Sequence, residues 1–219
     1  MRKWRMSGVW LAGLWLFLSV FSFGETVNCI VAVVNNQILT LADLQLVEAF
    51  ALYDMEEGEY RYPALLERMI DQKVVTDLAR EKVAVEKDQV KEELQSLLDR
   101  IGFEEAQKKF DGFGVAAGDL MSYLEEKILY QKIIDLRFSQ SVSVSLQEIE
   151  AYYKDTYLPD QKKAGLEPRP MMELLNEIES EIKKEKIKVQ VEAWIKNLRR
   201  QAEIEVKWDC LKRTGQKEN

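Results

Sequence analysis

Few side chains in this 219-residue chain are of a type that does chemistry, and histidine is absent altogether. That removes Ser-His-Asp and Cys-His nucleophilic sites, HExxH zinc sites and histidine proton shuttles. The two cysteines, Cys29 and Cys210, are too few for a zinc finger or an iron–sulfur cluster. Adjacent acids recur at Glu56-Glu57, Glu92-Glu93, Glu104-Glu105 and Glu125-Glu126. Neighbours on a helix diverge by about 100°, so such pairs do not converge on one target and read as solvated faces. The cluster Gly112-Phe113-Gly114-Val115-Ala116-Ala117-Gly118 misses the GxGxxG spacing, follows a helical stretch and lacks a Walker lysine, so a helix–helix turn is expected there. The chain thus reads as a non-enzyme with no cofactor, no metal site and no small-molecule substrate.

Charge and hydropathy narrow the class further. The chain is 47% hydrophobic and 32% charged, with a formal net charge of −7. It can bury a sizeable core, and it lacks the basic excess of a nucleic-acid binder. Arg2, Lys3 and Arg5 precede an uncharged run from Val9 to Phe23, and Ser22-Phe23-Gly24 supplies the small residues of a cleavage site. Residues 1–24 therefore read as a signal peptide for export. The alternative is an uncleaved anchor in the inner membrane, for which the run is shorter than the roughly 20 residues of a span. Residues 25–157 hold 14 basic and 26 acidic residues, whereas 158–219 hold 14 basic and 12 acidic. The C-terminal part is suited to dock on an acidic body, although a plain solvated acidic surface explains the same counts.

The elements that position these residues follow from periodicity. Val27–Val34 is rich in β-branched residues, Asn35-Asn36 suits a tight turn, and Gln37–Thr40 returns as a second strand. Thr40-Leu41-Ala42-Asp43 and Ser145-Leu146-Gln147-Glu148 have capping-box patterns. Helices are expected at about 41–54, 63–82, 87–101, 103–110, 117–138, 145–157 and 171–200. The one at 117–138 is apolar on most sides, as a central helix is. Three prolines and a glycine make 158–170 a linker loop, 202–208 alternates like an edge strand, and 209–219 reads as a polar tail. The fold class is mainly α with a small β element.

In an exported protein, Cys29 and Cys210 are candidates for a disulfide. If the first and last strands pair antiparallel, positions near 29 and 209 lie opposite, within bridging range. If they pair parallel, the sulfurs lie about 20 Å apart, at roughly 3.3 Å per residue, and stay free thiols.

Five stretches carry a family resemblance. Ile30-Val31-Ala32-Val33-Val34-Asn35-Asn36-Gln37-Ile38-Leu39-Thr40-Leu41-Ala42-Asp43-Leu44 resembles the opening of the SurA-type periplasmic chaperones. Leu65–Lys73 resembles the family's next helix. Val83–Val90 is similar to the turn that follows, although Glu86 stands where a serine or threonine cap is usual. Val142–Tyr153 is similar to the end of the N-terminal domain, and Ala193–Val206 to the C-terminal ending. In many members a parvulin prolyl-isomerase module lies between those last two stretches; here only Leu158–Pro170 fills that place, and no histidine is available to an isomerase site. The resemblance implies a SurA-N-like helical domain at 25–157 without its isomerase. It also implies that residues 171–208 fold back as a helix and strand onto that domain.

The functional expectation is a non-enzymatic, ATP-independent chaperone that binds unfolded outer-membrane or secreted proteins through an apolar groove. Candidate client-binding residues are Tyr53, Met55, Tyr60, Tyr62, Phe110, Phe113, Met121 and Tyr123, each of which could instead belong to the core. The alternatives are an interaction module for one folded periplasmic partner or a homodimer, which would use a flat apolar face, and a prolyl isomerase.

Overall fold

The computed structural model describes residues 29–53 and 61–215. The expected signal peptide and the candidates Met55 and Tyr60 lie outside the described residues, as do residues 216–219 of the expected tail. Among the described residues no helix is long and apolar enough to cross a membrane.

The fold is mainly helical around one small sheet, as expected. Strand β1 (Ile30–Val34) pairs antiparallel with β2 (Gln37–Thr40), and β3 (Ile204–Val206) pairs antiparallel on its other edge, giving the order β2-β1-β3. The hairpin turn places Asn35 at φ +51°, a left-handed conformation that asparagine tolerates. Its Nδ2 donates to Asp77 at 2.7 Å, its Oδ1 accepts from the Glu203 N–H at 3.0 Å, and its own N–H donates to the Glu203 carbonyl at 2.7 Å. One turn residue thus ties both ends of the chain together.

Helices α1 (Leu41–Ala49), α2 (Arg61–Ala79), α3 (Lys87–Ile101), α4 (Phe103–Phe113) and α5 (Met121–Phe138) follow, with a 3₁₀ turn at Ala117–Leu120 leading into α5. The Thr40 hydroxyl accepts from the Asp43 N–H at 3.2 Å, and the Asp43 carboxylate accepts from the Thr40 N–H at 2.8 Å. This is the expected capping box at the head of α1. Helix α1 ends sooner than its apolar pattern predicts, because Ala51 takes φ +47° and turns the chain. Gly114, at φ +64°, closes α4 as its left-handed cap, so the glycine cluster is a helix–helix turn.

Beyond residue 140 come α6 (Leu146–Tyr152), a π turn (Tyr153–Tyr157), α7 (Leu158–Ala164), α8 (Met171–Arg199) and α9 (Trp208–Gly215). Two expectations are corrected here. The linker loop at 158–170 is helical as far as Ala164, leaving irregular chain only from Gly165 to Pro170. Pro159 follows directly on the π turn in a helical run unbroken from Leu146, and the wider turn before it accommodates a residue with no N–H to donate. The strand expected at 202–208 is shorter, and the polar tail begins instead as α9, whose Leu211 is buried against the main core.

The disulfide forms: Cys29 and Cys210 are bonded, with their Cα atoms 6.1 Å apart. The pairing that permits it is antiparallel, with Ala32 opposite Val206 and Val34 opposite Ile204.

The core has three parts. The largest packs the sheet against α1, α2, α3 and α5, with Val31, Leu44, Phe50, Leu66, Ile70 and Leu120 fully buried. A second joins α2, α5 and α8 through Val75, Ala79, Leu129, Ile133 and Ile195. A third, small one packs Ile149 of α6 against Leu174 and Ile178 of α8. Helix α5 is central, as its apolar girth implies, and packs on α2, α3 and α8. Helix α8, 29 residues long, extends about 43 Å at 1.5 Å per residue and so belongs to two of these cores. Its docking is electrostatic as well as apolar: Arg199 meets Asp71 and Glu67, each at 2.6 Å. Lys186 meets Glu148 at 2.5 Å, and this ammonium, with the Ser145 cap, holds the Glu148 carboxyl down at about 2.

Candidate functional site

Of the open concavities on the surface of the described residues, two have apolar floors walled by core-packed helices. The first lies between α3 and α4, a groove of about 730 Å³. Its floor is Leu98, Ala106, Phe110 and Val115, and Phe103 stands at its lip, 82% exposed. Gly102, at φ +88°, joins α3 to α4 and sets the angle between the two walls. Phe110 is held from behind by Phe50, their ring centroids 5.0 Å apart, and Lys109 anchors α4 by donating to the Ala49 carbonyl at 2.8 Å. The polar rim is acidic and self-paired: Gln95 donates to Asp99 at 2.8 Å and Gln107 to Asp111 at 2.9 Å. An apolar trough with an aromatic lip can take up an apolar side chain from water.

The second concavity, about 590 Å³, lies between α2, α5 and α8 and is closed at one end by Leu52 and Tyr53. Ile134, Val191 and Ile195 form its apolar floor, and the exposed Lys184 and Lys188 stand on its α8 rim. Gln72 reaches it from α2, only 5% exposed, and its Nε2 has no hydrogen-bond partner among the described residues.

The expected client-binding residues divide between these places. Phe110 lines the α3–α4 groove, and Phe113, 42% exposed, lies three residues on along α4. Tyr53 lines the second cleft, where burial raises its hydroxyl well above the ordinary tyrosine range. Tyr62 and Met121 pack against the main core and line neither concavity. Tyr123 does the same, donating its hydroxyl to the Asp43 carboxylate; burial and that bond raise its pKa. The structure thus places Tyr62, Met121 and Tyr123, each half-buried, beside the core rather than in either of these two concavities.

Two residues were not anticipated. Phe103 follows a glycine at the start of an acidic helix, an apolar residue where the helical pattern offers it no core, and that was its signal. Gln72 falls on the stripe Leu65, Met69, Gln72, Thr76, Ala79, all buried. A glutamine on a core stripe is the sign of a buried amide in need of a partner. Thr76 satisfies itself by donating to the Gln72 carbonyl at 2.9 Å, whereas the Gln72 side-chain amine does not.

The acid pair Glu125-Glu126 is split by the fold. Glu125 is exposed, whereas Glu126 is buried and takes Lys73 at 2.6 Å and Arg80 at 3.1 Å. Among the described residues there is no group of three or more side chains able to hold a metal ion. In comparisons with known proteins, no family model and no curated protein matches the chain.

Proposed function

We propose that this protein is a non-enzymatic, ATP-independent chaperone of the periplasm that holds unfolded outer-membrane or secreted proteins, built like a SurA-type chaperone core without an isomerase. The observation that carries this reading is the α3–α4 groove: an apolar trough with Phe103 exposed at its lip. Apolar area of this kind is costly in water and is retained where a partner covers it. A client segment that covers Phe103 gains roughly 1.5–3 kcal/mol from that side chain, a modest sum that suits reversible holding. The five stretches resembling SurA-type chaperones and the export signal support the same reading. A dedicated module for one folded partner would call for a flat apolar face, and this groove is concave.

The test is the light scattered by an unfolded porin diluted out of denaturant. The intact chain at several-fold molar excess suppresses it. Phe103→Ser, at so exposed a position, leaves stability within about 0.5 kcal/mol and weakens client binding about tenfold, since about 1.4 kcal/mol is a factor of ten. No suppression by the intact chain refutes the reading.

A further inference from the structure

The cleft between α2, α5 and α8 differs from the α3–α4 groove in two respects. It contains a buried donor with no acceptor, the Nε2 of Gln72. Its rim on α8 is basic, in a chain whose net charge is −7. We propose that this cleft is a second peptide site, selective for extended segments in which acidic and apolar residues alternate.

Three features lead there. A buried amide N–H without an acceptor is costly; the Gln72 Nε2 has no open surface here, so its side chain must turn into the cleft, where a carbonyl of an extended backbone can accept from it without demanding any particular side chain. Lys184 and Lys188 are one helical turn apart, a rise of about 6 Å. Residues on the same face of an extended strand repeat every 6.6 Å or so, so alternate acids of a peptide fall in step with the two lysines. Ile187 and Val191 have the same four-residue spacing along α8 and line the same cleft, matching the apolar face of such a peptide. The competing acids are limited: Asp71 is engaged by Arg199 at 2.6 Å, leaving Glu192 on the rim. Among the described residues, Lys188 makes no ion pair, and Lys184 has only the exposed contact with Glu181 at 3.7 Å. The site is separate from the α3–α4 groove and selects clients of opposite charge preference, since that groove's rim carries Asp99 and Asp111.

The test is fluorescence anisotropy on the purified chain with its disulfide intact. The probes are a short labelled peptide alternating leucine and glutamate and its leucine–lysine counterpart. The glutamate peptide binds about tenfold tighter than the lysine one. Lys184→Glu with Lys188→Glu, at exposed positions, removes that preference. Gln72→Leu, which replaces an unpartnered buried amide by an apolar group of similar size, weakens the glutamate peptide about fivefold while the thermal midpoint holds or rises. A purely structural Gln72 would not give that combination. One net hydrogen bond corresponds to such a factor. Equal affinity for the two peptides, unchanged binding in either variant, or displacement by free glutamate as effective as by unlabelled peptide overturns the proposal. Phe103→Ser leaves this binding unchanged, so loss of porin holding alone counts against the first groove and loss of peptide preference alone against this cleft.

Discussion

Glu126 shows how a single residue departs from what its neighbours suggest. It is the second of two adjacent glutamates, yet it is buried while Glu125 faces solvent. Its carboxylate is answered by Lys73, whose side chain is 16% exposed, and by the more exposed Arg80. Removing one partner of a buried pair strands the other charge. Glu126→Leu alone therefore costs about 3 kcal/mol, read as a lowered midpoint in urea, whereas Glu126→Leu combined with Lys73→Met recovers most of that loss. A double variant as unstable as the single would show that the pair is not what holds α2 to α5. At this scale the sequence was least legible. The paired cations are 46 and 53 residues away, and whether Tyr53, Tyr62, Met121 or Tyr123 packs inward or lines a groove depends on neighbours equally distant in sequence.

At the scale of elements, periodicity and capping patterns located the helices well, because each signal lies within a turn or two of the element it sets. Thr40 with Asp43 and Ser145 with Glu148 both close as capping boxes. The misreadings occur where local signals conflict: Pro159 punctuates 158–170 as a loop but is taken up just after a π turn in a continuous helical run, and the polar residues after Trp208 hide a helix stapled down by Cys210. Gly102 is the element-scale feature on which the groove depends. Its φ of +88° with ψ of 144° suits glycine and strains any other residue. Gly102→Ala destabilises the fold by about 1–3 kcal/mol although open space surrounds the new methyl, and it lowers porin holding by reorienting α4. A variant of unchanged stability would mean that the α3–α4 angle is not set there. Helix α6 has its own pH dependence. Because Lys186 and the Ser145 cap depress the Glu148 carboxyl from its ordinary 4.5 to about 2, their support of the α6–α8 contact is complete above pH 4.5 or so and lost as the pH falls towards 2. NMR titration checks this: the Glu148 carboxyl titrates near 2 in the intact chain and moves back up in Lys186→Met.

Across the whole molecule, the two chain ends define one structural unit. The hairpin, β3, Asn35 and the Cys29–Cys210 bond bring together residues 181 positions apart. In the chain-entropy account, a loop of that length corresponds to roughly 5 kcal/mol of stabilisation. Reduction, or Cys29→Ser with Cys210→Ser, is expected to cost about 2–5 kcal/mol, seen as a lowered urea midpoint; an unchanged midpoint would show that the strand pairing holds without the bond. At this level the sequence marks Cys29 and Cys210 as a candidate bridge but leaves the direction of strand pairing open, and the antiparallel register decides it. The grooves were not legible in the sequence, since a concave surface is made by helices from distant parts of the chain.

The central claim is that the α3–α4 groove holds unfolded clients, and site-specific photo-cross-linking tests it most directly. A photoreactive residue is placed at Phe103, at the lip of the groove, and separately at Leu136, which is 67% exposed but lines neither concavity. With an unfolded porin as client, covalent adducts form from position 103 and not from 136. Adducts from neither position, or in equal yield from both, would contradict the account.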